Sequence, residues 1–221
     1  MGFKVLGVGV RVRELKSELV LQACFTALAI VLIPAHAWAS DAVLLKSNQT
    51  KHSLGLDAFY LEDQQGQLSQ STALKSYREG HFTKSHQSTP SFGFTTSVYW
   101  LAIEFKTQKG VSKDWLFQVA YPALDSLEVD IFQAGVSIQS YRVGDRQPFN
   151  QRIIHNRNFL LPVTLNEQVP TLVLIRAQQF EGDLVELPMQ MIEESKLPNV
   201  ETTPILIDGI YVGIMLVMGL Y

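Results

Sequence analysis

Leu127-Glu128-Val129-Asp130-Ile131 alternates apolar and acidic side chains with a period of two. Successive side chains of a strand point to opposite faces, so this pattern puts Leu127, Val129 and Ile131 on a buried face and both acids toward water. Leu101, Ile103 and Phe105 repeat it against Glu104 and Lys106. Trp115, Phe117, Val119 and Tyr121 do so in the next run, which ends at Pro122, where the missing N–H interrupts a ladder. Leu172-Val173-Leu174-Ile175 is apolar on both faces and suits a central strand, whereas residues 185–192, with Pro188 inside, are assigned to an edge. Runs at residues 54–60, 136–143 and 158–165 bring the total to about eight strands, spaced as in antiparallel sandwiches and barrels. Residues 64–87 are polar and read as a loop with at most one short helix around residues 74–77. The fold class is all-β.

The ends of the chain place this domain. Residues 205–221 are 17 residues with a single charge, Asp208, and match the opening of a membrane-spanning helix. The run is still apolar at Tyr221, so the reading expects more membrane helix, and any output module, beyond that residue. At the other end, Arg11, Arg13 and Lys16 precede an apolar block at residues 19–33, followed by Pro34 and Ala35-His36-Ala37-Trp38-Ala39-Ser40. That is the three-part pattern of a secretory signal over residues 1–39, cleaved before Ser40. An uncleaved N-terminal anchor is the first alternative. Lipidation at Cys24 is the second, opposed by Gln22 and by the apolar block continuing past the cysteine.

Removing the leader removes Cys24, the chain's only cysteine, and the exported domain must fold without disulfides. The leader also carries four of the 18 Lys and Arg and two of the 21 Asp and Glu. The remainder holds 14 basic against 19 acidic residues, a net charge of −5 that argues against a nucleic-acid partner. Residues 40–197 have the size of one domain. Residues 198–204, bounded by Pro198 and Pro204, read as a short, stiff linker distinct from the apolar helix after it.

The ordered segments Ser97-Val98-Tyr99-Trp100-Leu101, Trp115-Leu116, Tyr121-Pro122-Ala123-Leu124-Asp125 and Gly144-Asp145-Arg146-Gln147-Pro148-Phe149, followed by Arg152, Arg157 and Phe159, carry a family resemblance. Over residues 54–197 the chain resembles the type 2 extracellular domain of bacterial seven-transmembrane receptors with diverse intracellular signalling modules. Gly209-Ile210-Tyr211-Val212-Gly213-Ile214 is similar to the start of that family's first membrane helix. The resemblance implies a jelly-roll β-sandwich in the periplasm of a Gram-negative cell, anchored in the inner membrane. It also implies a seven-helix bundle and a cytoplasmic output such as a diguanylate cyclase or histidine kinase. The ligand it implies is a carbohydrate or another small molecule, by analogy of fold alone.

Candidate binding residues divide into two chemistries. Trp100 and Tyr121 offer aromatic faces that match the C–H face of a sugar ring, although alternating strands bury most such side chains. Arg146, Arg152 and Arg157 form a candidate basic rim for an anionic or polyhydroxyl ligand. The structural alternative has Asp145 and Arg146 tying a loop to the next strand after Gly144, where glycine permits a positive φ. Glu181, Asp183 and Glu186 concentrate hard oxygens that suit calcium, but their order does not match an EF-hand, and a solvated loop explains them. His52, His81, His86 and His155 are scattered without zinc-ligand spacing. No nucleophile elbow, glycosidase acid pair or phosphate-binding glycine loop is evident, so no catalytic residue, metal or cofactor is assigned.

The leading expectation is therefore a periplasmic sensor attached to a membrane helix, with a homodimer left open. The alternative is a membrane-tethered envelope protein whose sandwich binds a glycan or protein and signals nothing.

Overall fold

The computed structural model describes residues 42–46 and 49–220. The leader expected at residues 1–39, including Cys24, lies outside them.

Among the described residues, thirteen strands come in chain order: β1 (Val43–Leu45), β2 (Lys51–Ser53), β3 (Phe59–Asp63), β4 (Thr83–Lys84), β5 (Ser91–Phe94), β6 (Val98–Thr107), β7 (Asp114–Val119), β8 (Ser126–Gln133), β9 (Val136–Val143), β10 (Phe159–Thr164), β11 (Thr171–Gln178), β12 (Leu184–Glu186) and β13 (Met189–Glu193). Two helices interrupt and end the series, α1 (Gln70–Arg78) and α2 (Leu197–Leu220). A seven-stranded sheet runs β4-β3-β6-β11-β8-β9, with β1 added parallel to β6 at Phe105. A four-stranded sheet runs β10-β7-β13-β2, and β12 pairs with β5 in a separate ribbon. Apart from β1 with β6, every strand pair is antiparallel.

The core lies between the two larger sheets, making the domain a β-sandwich. Leu101, Ile103 and Phe105 of β6, Val173 and Ile175 of β11 and Leu127, Val129 and Ile131 of β8 meet Trp115, Phe117 and Val119 of β7 and Phe159, Leu161 and Val163 of β10. Each large side chain buried here contributes about 1.5–3 kcal/mol relative to exposure. The period-two reading therefore holds for the inward faces. The expected central position of residues 172–175 also holds, since β11 lies between β6 and β8.

The outward faces depart from expectation. Part of the seven-stranded sheet is covered a second time, by α1, whose Ala73 and Leu74 pack with Phe82 on Val98, Trp100, Ala102, Phe132 and Leu174. Ser69 caps that helix by accepting the Thr72 N–H. Glu128 and Asp130 do not face open water. Asp130 is buried and accepts from Ser140 Oγ and Arg142, while Glu128 pairs with Arg142 at 2.7 Å and Arg176 at 3.1 Å. Cross-strand arginines on β9 and β11 shield these acids, which an alternation pattern within one strand cannot reveal.

Three boundaries also differ. Residues 54–57 form a turn closed by the Asp57 N–H on the Leu54 carbonyl, and the strand begins only at Phe59. Residues 185–192 break at Leu187-Pro188 into β12 and β13. The latter is an interior strand between β7 and β2, not an edge, because the proline falls between strands and removes no ladder bond. The expected linker at residues 198–204 is helical and continuous with the apolar run from Ile205 onward. Pro198 sits in the first turn of α2, where its fixed φ and missing N–H suit a helix start. Pro204 lies inside α2 and cannot supply the N–H that would reach the Val200 carbonyl. The helix start packs on the outer face of the four-stranded sheet, where Leu197 and Val200 join Ile154 over Leu116, Leu160 and Ile192.

Candidate functional site

All three arginines of the expected basic rim lie on one connection, residues 144–158 between β9 and β10, but each is already engaged. The connection begins at Gly144, whose φ is not positive, contrary to the sequence reading. Its glycine is required instead by crowding, because a Cβ there would lie 2.1 Å from the Asp125 carbonyl oxygen. The next residue fastens to the same loop, with the Asp145 N–H donating to the Leu124 carbonyl at 2.8 Å.

Arg146 then bridges two other loops. Its Nε donates to Asp125 Oδ1 at 2.9 Å and its Nη2 to Glu181 Oε1 at 2.6 Å, with the guanidinium 5.7 Å from the Phe180 ring centre. Asp125 also accepts the Phe180 N–H at 2.9 Å, and its own N–H donates to the buried Gln179 at 2.8 Å. Burial works against the Asp125 charge, but the Arg146 guanidinium and the Phe180 N–H outweigh it and hold the carboxyl below its ordinary range. Three loops are thus knitted together at one end of the sandwich: residues 120–125, 144–148 and 179–183.

This corner presents aromatic surface that alternation does not flag. Phe180 is half exposed and Phe94 is 80% exposed; Thr95, next to Phe94, donates its N–H to the Asp183 carbonyl at 3.3 Å. The hint in the sequence is that each ring sits beside turn-forming residues, in Phe92-Gly93-Phe94 and Phe180-Glu181-Gly182, with no alternation partner. Gly93 and Gly182 have φ of 75° and 77°, as these turns require. Tyr121 lies on the neighbouring 120–125 loop, partly buried against the main core.

Trp100 is not part of this corner. It is 2% exposed beneath α1, so its ring offers no face to a ligand, and its packing role is the one realised. The geometric reason is the second apolar layer: the face of β6 opposite Leu101, Ile103 and Phe105 is covered too.

The far end of the 144–158 connection grips the C-terminal helix. Arg152 donates to the carbonyls of Asn156 and Arg157, both at 2.8 Å, and its guanidinium lies over Phe149 and Phe159 at 4.9 and 4.6 Å from the ring centres. It staples the loop and does not face outward. Asn156 donates to Glu201 and Arg157 donates to Asp208 Oδ2 at 2.7 Å, both acids being on α2. The structure therefore brings Arg152 and Arg157 together at the helix and leaves Arg146 at the loop corner, one of whose loops carries Tyr121. Among the described residues, no group of three or more His, Cys, Asp or Glu is positioned to hold a metal ion. One described helix, the segment 194–220, is long and apolar enough to cross a membrane.

A family model described as 7TMR-DISM extracellular 2 matches residues 55–191, which run from the turn before β3 into β13. The chain belongs to that family. The 7TMR-DISM extracellular 2 domains are sensor domains of seven-transmembrane receptors, and the match takes in all three loops of the Arg146 corner together with the whole 144–158 connection. The domain is accordingly the extracytoplasmic sensing portion of a membrane protein. A comparison with curated protein sequences finds no match. Among solved structures, the chain is similar to the insecticidal delta-endotoxin Cry8Ea1 from Bacillus thuringiensis, at 16% identity and a TM-score of 0.27. That likeness covers 47% of this chain and 18% of the toxin.

Proposed function

We propose that this 7TMR-DISM extracellular 2 domain binds a carbohydrate or related small ligand at the Arg146 corner and signals by changing how the 144–158 connection holds α2. The observation that carries this reading is that one 15-residue connection is fastened at Arg146 to the 120–125 and 179–183 loops and at Arg157 to the helix. Phe94 and Phe180 supply apolar faces for a sugar ring, while Arg146 and Glu181 supply donors and acceptors for its hydroxyls. A ligand that takes up Glu181 competes with Arg146 for that carboxylate and thereby acts on the start of the connection. Tyr121 borders this site, and Arg152 and Arg157 act in transmission.

The proposed setting is the inner membrane of a Gram-negative cell, with a jelly-roll sandwich in the periplasm. A seven-helix bundle would lead to a diguanylate cyclase or histidine kinase on the cytoplasmic side. Coupling of this kind requires a differential affinity worth about 1–3 kcal/mol between two arrangements of the bundle.

Two measurements test the proposal. Thermal-shift screening of the chain against a sugar panel identifies the ligand, since binding to the native state raises apparent stability. Phe180→Ala and Glu181→Gln should then abolish the shift. In the full-length receptor, Arg157→Ala should leave ligand affinity within about twofold while removing the output response. Normal output from Arg157→Ala would end the coupling half of the proposal, and an unaltered shift in Phe180→Ala would end the binding half.

A further inference from the structure

The 144–158 connection carries two large apolar side chains that the described residues leave about half exposed: Phe149, 54% exposed, and Ile153, 51% exposed. We propose that this tip is seated in the interfacial layer of the lipid bilayer that α2 crosses, so that the sensor domain reads the membrane surface as well as its ligand.

The depth is set by α2. Ile205, Leu206 and Ile207 are apolar and each about 60% exposed, and the large apolar residues after them are exposed too. For these side chains to leave water, the hydrocarbon boundary must lie at or above Ile205. Asp208 is three residues further in, about 4.5 Å along the axis. The Arg157 guanidinium meets Asp208 at 2.7 Å, so the connection's side chains extend to that level alongside the helix. A carboxylate there is costly alone, and its pairing with Arg157 is the arrangement expected near a membrane boundary.

The rest of the connection is tied to the residues that hold the helix start, with Ile154 packed beside Leu197 and Val200 and Asn156 on Glu201. A short helical turn, Phe149–Gln151, presents Phe149, whose ring stacks on His155 at 5.8 Å and lies under Arg152 at 4.9 Å. Arg152 in turn holds the Arg157 carbonyl, so Phe149 is tied within one loop to the residue that touches Asp208. Apolar tips flanked by Arg and His side chains suit an interface in which the ring enters the acyl boundary and the polar groups stay among the headgroups.

The test uses the chain with Cys24→Ser and single labelling cysteines at Phe149→Cys, Ile153→Cys and, as a control at the exposed start of β9, Val136→Cys. Each is reconstituted into phosphatidylcholine–phosphatidylglycerol nanodiscs and labelled with an environment-sensitive fluorophore. Because all three positions are exposed, circular dichroism should show the same fold throughout. Labels at 149 and 153 should be quenched severalfold by nitroxide-bearing lipids and weakly by an aqueous quencher, with the reverse at 136. Equal aqueous quenching at all three positions overturns the proposal. So does protection of 149 and 153 from both quenchers, which would mean that protein covers the tip. Neither result bears on the Arg157→Ala coupling test, so the two ideas fail separately.

Discussion

Gly144 shows how a single hydrogen in place of a side chain can fix a loop. With no Cβ, the backbone approaches the Asp125 carbonyl, and that approach puts Arg146 within reach of both Asp125 and Glu181. Gly144→Ala should therefore destabilise the domain by about 1–3 kcal/mol, as overpacked sites do, read as a lower urea midpoint at unchanged slope. Asp125 gives the same corner a pH dependence. Its folded pKa lies below the unfolded value of about 3.9, so its stabilising contribution is complete above that value and is lost as pH falls through the folded pKa. Acid titration of the wild type should show this loss, and Asp125→Asn should flatten that part of the profile while lowering stability at neutral pH. The sequence marks these residues as a turn with an arginine. It does not show that the arginine's partners are 21 and 35 residues away, because such pairing is set by the sheets and not by local spacing.

Among the elements, the long strands were legible and the short ones were not. β6, β8, β9, β10 and β11 span six to ten residues, enough for a period of two to repeat, whereas β1, β2, β4 and β12 have two or three and show no period. The face of β6 that carries Trp100 was ambiguous for a different reason: only the tertiary placement of α1 decides whether it is wet or covered. Trp100→Ala should cost about 3–5 kcal/mol in chemical denaturation, because the cavity opens beneath a helix that cannot fully collapse into it. Ligand affinity per folded molecule should stay unchanged, since the ring is not offered to solvent. A loss of affinity with stability preserved would return Trp100 to the binding surface.

For the whole molecule, the sequence made the order of parts legible, with a β domain followed by an apolar helix. What it concealed was their join, since two prolines within seven residues read as a stiff, non-helical linker and the structure includes both in α2. The coupling prediction belongs at this scale. If charge pairing between Arg157 and Asp208 transmits the signal, the exchanged pair Arg157→Asp with Asp208→Arg should recover part of the output lost in either single variant, measured in the full-length receptor. No recovery would mean that the residues matter separately and not as a pair.

The position of Pro204 gives this join a mechanical consequence. Glu201 and Asp208, the two acids held by the loop, flank Pro204, where the helical ladder lacks a rung. The loop thus lies as a splint across the weakest point of the rod. Unclipping either end would leave a joint at the level of the lipid headgroups, and the helix below could swing without the sandwich itself having to move.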